Sequence, residues 1–114
     1  MSKVVVFGGS GFLGSHVSDE LTKRGHEVII FDRVKSQYLH DTQKMIVGDM
    51  MDRDLVRKAI EGVDYVYHFA AMADIHEARE NPVEAANFNI MGTMFVLDAC
   101  REFNVKRFVY SSTI

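Results

Sequence analysis

A glycine-rich turn set between an apolar run and a helical segment constrains this chain more than any other feature. Val4-Val5-Val6-Phe7 leads into Gly8-Gly9-Ser10-Gly11-Phe12-Leu13-Gly14, which reads as G-x-G-x-x-G from Gly9 and as G-x-x-G-x-x-G from Gly8. A chain that turns sharply off a strand and passes close to a pyrophosphate has no room for a Cβ. The helix that follows points unpaired N–H groups and the positive end of its dipole at the same place. Asp32 ends the next apolar run, 18 positions after Gly14, where a carboxylate can accept both ribose hydroxyls of an adenosine half. Alone, Asp32 could equally be a solvated acid at a strand end. Strand, glycine turn, helix and acid together point to a dinucleotide, with Gly8, Ser10, Gly11, Phe12, Leu13, Gly14 and Asp32 around it. Asp32 would repel a 2′-phosphate and so favours NAD. Arg33 leaves NADP open, because a guanidinium there can neutralise such a phosphate or stack on adenine.

The rest of the chain supplies a setting for that turn. Val4–Phe7, Glu27–Phe31, Lys44–Val47, Val63–Phe69 and Lys106–Tyr110 are short runs rich in β-branched and aromatic residues. Most lack alternation, as strands covered on both faces do. Between them, Leu13, Val17 and Leu21 recur every fourth residue, with Gly25 at the C-cap position. Asp52 or Asp54 can cap a second short helix carrying Leu55, Val56, Ala59 and Ile60, ended by Gly62. Strands alternating with helices predict an α/β fold, a doubly wound parallel sheet of about five strands with helices on both faces. At 114 residues the chain is expected to form one domain, 1–114.

The longest helical segment runs from about Pro82 to about Phe103. Phe88, Met91, Phe95 and Ala99 fall on one stripe, and Ala86, Ile90, Met94 and Leu97 on nearly the opposite one. A helix apolar on two sides must be buried on two sides. One side can lie on the sheet; the other calls for a helix or a second copy, so a homo-oligomer is expected.

Four blocks and the closing strand carry a family resemblance. They are the glycine block at Gly8, Gly11 and Gly14; Gly48-Asp49-Met50; His68-Phe69-Ala70-Ala71; Asn89-Ile90-Met91-Gly92-Thr93; and Val109-Tyr110-Ser111-Ser112-Thr113. With these the chain resembles the N-terminal part of the extended short-chain dehydrogenase/reductases, the NAD-dependent sugar-nucleotide epimerases and dehydratases. The resemblance implies a Rossmann-like strand order of 3-2-1-4-5. It also implies that Asp49 and Met50 lie at the adenine, and that Phe69, Ala70, Ala71, Asn89 and Ser111 lie along the cofactor. In that family a nicotinamide takes hydride from a sugar carbon while a tyrosine, its pKa lowered by a lysine, removes the hydroxyl proton. A Ser or Thr hydroxyl holds the same oxygen; Thr113 is the residue in that position, with Ser112 second. Read on their own, these hydroxyls could merely satisfy backbone groups at a strand end.

The chain departs from the family in one respect. Its tyrosines are Tyr38, Tyr65, Tyr67 and Tyr110, and none has a lysine four residues on. Loss of a positioned base is worth about 10²–10⁴ in rate. The polypeptide is therefore expected to bind cofactor without turning over substrate alone, as a fragment or a short relative. A nucleotide-sugar substrate would belong to a longer parent chain. The alternative is a non-catalytic NAD(P)-sensing or self-assembling module.

Composition closes off other classes. A net charge of −3 offers nothing for a nucleic-acid backbone. The single cysteine, Cys100, excludes an internal disulfide and reads as a small buried hydrophobe. The five histidines show no metal spacing beyond a scattered Asp74 and His76. No apolar run approaches the roughly 20 residues of a membrane span. The start of the chain carries no cleavable signal pattern, so a cytoplasmic setting is expected.

Overall fold

Each apolar run becomes a strand of one parallel sheet. The computed structural model describes residues 1–70 and 79–111. Its strands are β1 (Lys3–Phe7), β2 (Glu27–Asp32), β3 (Lys44–Val47), β4 (Tyr65–His68) and β5 (Arg107–Tyr110), in the order β3-β2-β1-β4-β5. All four pairings are parallel. The central strand is the most apolar: Val4 to Phe7 are at most 1% exposed. Its last residue lies opposite Phe31 on one side and His68 on the other.

Helix α1 (Phe12–Lys23) lies on one face of the sheet; α2 (Arg53–Ile60) and the long helical segment lie on the other. The second face carries the larger core, from Val5, Phe7, Ile29 and Phe31 to Val56, Ile60, Val66, Phe88, Val96 and Ala99. The first face holds Val4, Val6, Val28 and Ile30, with Leu21, Tyr65 and Tyr67 partly covered beside them. Asp52 is the cap of α2, accepting the Leu55 N–H at 3.2 Å, while Asp54 sits in the first turn. Helix α1 ends as expected at Gly25 (φ +89°), where Gly25 N donates to Thr22 O and His26 N to Leu21 O. That pair of bonds is a Schellman turn, which requires a left-handed residue and so favours glycine.

Two periodicity readings are corrected by the structure. The buried residues of α1 are Gly14, Ser15 and Ser18, whereas Leu13 is 52% exposed. The start of α1 comes so close to the glycine turn that only small residues fit beneath it. The long helical segment is divided into α3 (Pro82–Ala86), a π-helical turn over Asn87–Met91, and α4 (Gly92–Glu102). A π turn adds a residue to the period, so the buried stripe becomes Ala85, Phe88, Gly92, Val96, Ala99 and Cys100. Met91, expected inside, is 40% exposed. The second stripe does lie outside: Ile90, Met94 and Leu97 are 62%, 54% and 40% exposed. Among the described residues, no helix is long and apolar enough to cross a membrane.

Candidate cofactor site

The glycine turn packs against the C-terminal ends of three strands. Gly8 N donates to Phe31 O at 2.8 Å, and Phe69 N donates to Phe7 O at 2.8 Å. Gly8 has φ +81°, and a Cβ there would lie 2.7 Å from the Ala70 nitrogen. At Gly9 a Cβ would meet the Ile30 side chain at 2.6 Å, and at Gly14 it would lie 2.1 Å from Gly8 O. These three glycines are required by the fold itself. Gly11 differs: the nearest atom to its Cβ position is Gly8 O at 3.5 Å, an ordinary contact. Its bare backbone therefore leaves space that the protein does not fill.

Gly11 is also the N-cap of α1, and no side chain caps that end. The first N–H groups of a helix lack intrahelical partners, so those of Phe12 and Leu13 remain as donors beside the open Gly11. Phe12 itself is 84% exposed, with its ring edge-on to His16. An anion, and a pyrophosphate in particular, fits this arrangement.

Asp32 stands at the end of β2 and ties the turn to the following loop. Its Oδ2 accepts the Ser10 N–H at 3.0 Å, and its Oδ1 accepts the Val34 N–H at 3.2 Å. The Ser10 hydroxyl donates to Val34 O at 2.6 Å. Each carboxylate oxygen keeps a further lone pair, and Asp32 lines a cavity of about 680 Å³ with Ser10, Gly11, Phe12, Lys35 and Tyr38.

A second cavity, of about 580 Å³, lies beyond Arg33 and is walled by Asp49, Met51, Asn87 and Phe88. The Arg33 guanidinium sits over the Phe88 ring, 5.6 Å from its centre. Asp49 Oδ1 accepts the Met51 N–H at 2.9 Å. Met50 is 2% exposed, and its Cε would lie 2.9 Å from a Cβ on Gly92. Its side chain is thus a core element under the helix, and Met51 takes the place at the cavity. Phe69 and Ala70 border the turn from β4. Asn89 is half-buried, and its carbonyl accepts the Thr93 hydroxyl. Ser111 N donates to His68 O at 3.3 Å at the end of β5. Ala71, Ser112 and Thr113 lie outside the described residues.

Comparison with known proteins decides the family. A family model described as NAD dependent epimerase/dehydratase matches residues 4–114. The chain belongs to this family. The UDP-glucose 4-epimerase of Lactobacillus helveticus is 35% identical over 116 residues, covering 97% of this chain and 35% of that protein. The 3-beta-hydroxysteroid dehydrogenase of Mycolicibacterium neoaurum is also 35% identical, covering 99% of this chain and 32% of that protein. The solved Thermus thermophilus UDP-glucose 4-epimerase in complex with NAD superposes with a TM-score of 0.90 at 33% identity, covering 97% of this chain and 37% of that one. The chain thus spans about a third of the length of these relatives. The epimerase/dehydratase strand order, 3-2-1-4-5, is the one found here, and NAD is the dinucleotide in the family's description.

Within this epimerase/dehydratase frame, the pattern of the sequence missed Asn87, Phe88 and Met51 as cavity residues. Asn87 and Phe88 are placed there by the π turn, which no spacing announces, whereas Met51 comes from the turn before α2, where Met50 is the buried residue instead. It also missed the contact of His68 Nε2 with Thr93 Oγ1, 2.9 Å apart. The nearest signal was that both residues lie inside motif blocks. Burial holds the His68 imidazole down to a pKa of about 4 and pushes the Cys100 thiol up to about 11. Cys100 is accordingly an inert core group. Among the described residues no cluster of three or more His, Cys, Asp or Glu could hold a metal ion.

Proposed function

We propose that residues 1–114 form a single NAD-binding domain of the epimerase/dehydratase type. The observation that carries this reading is Gly11: an unfilled position at an uncapped helix start, within reach of a carboxylate at the end of the adjacent strand. The crevice lies outside the carboxyl ends of β1, β2 and β4, where strand order reverses and α/β sheets take their ligands. In this reading the pyrophosphate rests on Gly8, Ser10, Gly11, Phe12, Leu13 and Gly14, and Asp32 takes the adenosine ribose hydroxyls. Asp49, the Met50 backbone and the Arg33–Phe88 pair flank the adenine. Phe69, Ala70, Ala71, Asn89 and Ser111 follow the cofactor toward its nicotinamide, which when bound supplies a hydride acceptor. The Arg33 guanidinium sits over the Phe88 ring beside the cavity read as the adenine's, so it serves adenine rather than a 2′-phosphate, which favours NAD over NADP.

Thr113 and Ser112 are the hydroxyls that would hold a substrate oxygen. With no Tyr-x-x-x-Lys in its 114 residues, the chain alone captures cofactor and does not turn over an alcohol. A nucleotide-sugar is the substrate of the longer parent protein in this reading. The equal identity to an epimerase and to a steroid dehydrogenase supports cofactor binding as what these residues share. Calorimetric titration with NAD and NADP tests the proposal, together with the amide resonances of Gly11, Phe12 and Leu13. Saturable NAD binding with those amides shifted is expected; no saturable binding of either dinucleotide overturns it. The exposed stripe of Ile90, Met94 and Leu97 favours a second reading, a self-assembling module. Sedimentation of a strict monomer with and without NAD would dispose of that one.

A further inference from the structure

We propose that His68 is a positioning residue for the cofactor cavity, holding the π turn at Asn87–Met91 in register through Thr93. Its functional consequence rests on the NAD reading above; its geometry does not.

The Thr93 hydroxyl has one hydrogen, which it donates to the Asn89 carbonyl at 2.7 Å. Toward His68 Nε2, 2.9 Å away, that oxygen can therefore only accept. Nε2 must carry the imidazole proton, and Nδ1 is left as a bare acceptor. His68 is 1% exposed, and Nδ1 has no hydrogen-bond partner among the described residues. A buried, unpaired acceptor is unfavourable. The ring is surrounded by Phe7, Phe108 and Tyr110, with centroids 5.5–6.2 Å away. An apolar side chain would fill that space without an orphaned nitrogen. What it would lack is the N–H that fixes Thr93.

The π turn needs such a clamp. The Gly92 N–H is shared between Asn87 O and Phe88 O, so the helical ladder slips by one residue there. Such single turns are rare and gather at functional sites. Returning to regular α geometry would rotate α3 by roughly 100° about the axis relative to α4. Asn87 and Phe88 would then leave the cavity they share with Arg33 and Asp49. The chain His68 Nε2–H to Thr93 Oγ1–H to Asn89 C=O ties the turn to the end of β4, beside the glycine turn.

Two pairs of variants test this in the 114-residue chain. Glutamine places an amide N–H near the Nε2 position, whereas asparagine reaches only as far as Nδ1. His68→Gln should keep NAD affinity within about twofold, and His68→Asn should weaken it at least tenfold, about 1.4 kcal/mol. Thr93→Ser should behave like the first and Thr93→Val like the second. The double variant H68N/T93V should be no worse than either single one, because one link is being cut. Without NAD, the amide resonances of residues 89–93 should move in H68N and T93V and stay in H68Q. If H68N does not fold, the Thr93 pair decides. Equal losses in H68Q and H68N would mean packing alone and would overturn the assignment. So would a folded T93V with wild-type affinity and unmoved amides. A wild-type chain that binds no NAD refutes the cofactor reading, while the amide shifts still decide the clamp.

Discussion

Gly14→Ala and Gly11→Ala separate what the glycine turn does for the fold from what it does for a ligand. At Gly14 the new methyl would lie 2.1 Å from Gly8 O and 2.8 Å from both Gly8 C and Gly9 Cα. All three are main-chain atoms, and Gly8 is pinned by its bond to Phe31 O, so no side chain can yield. Removing an overlap of more than about 1 Å means lifting the first turn of α1 off the sheet, and overpacking of this kind costs about 1–3 kcal/mol or more. Alanine's better helix propensity offsets up to about 1 kcal/mol of it. A net loss of about 2 kcal/mol corresponds to a fall in Tm of roughly 10 °C for a domain of this size. At Gly11 the methyl meets nothing closer than 3.5 Å, and φ is −78°, so alanine is unstrained. G11A should melt within a few degrees of wild type yet bind NAD at least tenfold more weakly, since the methyl occupies the phosphate's place. Circular dichroism melts without ligand and calorimetry with NAD read the two effects separately. A G14A protein as stable as wild type, or a G11A protein with full NAD affinity, would refute the steric argument.

Three further outcomes follow from the same geometry. His68 is held near a pKa of 4 by burial, while an unfolded histidine takes up its proton near 6.5. Its contribution is therefore complete above about pH 6.5 and is lost as the pH falls toward 4, to a total of about 3 kcal/mol; urea unfolding should show this slope, and H68Q should flatten it. Asp52→Ala removes the α2 cap on Leu55 N and should cost about 1 kcal/mol, seen as a lower urea midpoint at unchanged m-value. Asp32→Asn replaces an acceptor facing either Ser10 N or Val34 N by a donor. NAD affinity should fall at least tenfold, and one of those two amides should exchange faster with solvent; an unchanged Kd would remove Asp32 from the ribose.

The parts of this molecule that could be read in advance are those where local chemistry and global packing ask for the same residues. Val4 to Phe7 make a buried central strand because no polar group interrupts them, and Asp52 and Gly25 mark helix ends by the bonds they alone satisfy. Asp32 was visible through its spacing from the glycines. The parts that could not be read involve contacts across the fold. Leu13 looks like a core residue by its spacing with Val17 and Leu21, yet α1 sits too near the turn to bury anything larger than Gly14, Ser15 and Ser18 there. The long helical segment looks uniform, but its period changes at Asn87–Met91, and the residue that meets Thr93 is 25 positions earlier in the chain.

The glycine motif itself carries less ligand information than its fame suggests. Three of its four glycines would be excluded from substitution even if nothing ever bound: Gly8 by Ala70, Gly9 by Ile30, Gly14 by Gly8. A protein that had lost its cofactor but kept this packing would keep these three. Gly11 is the member whose missing side chain the fold does not use. If substitutions accumulate at position 11 while positions 8, 9 and 14 stay glycine, the turn has become scaffold; a glycine that persists at 11 is being held there by something the protein must bring close. The discriminating measurement is thus a set of saturation libraries at positions 8, 9, 11 and 14, each sorted once for folding and once for NAD retention. The two sorts should agree at positions 8, 9 and 14 and disagree at 11, where many side chains fold and few bind.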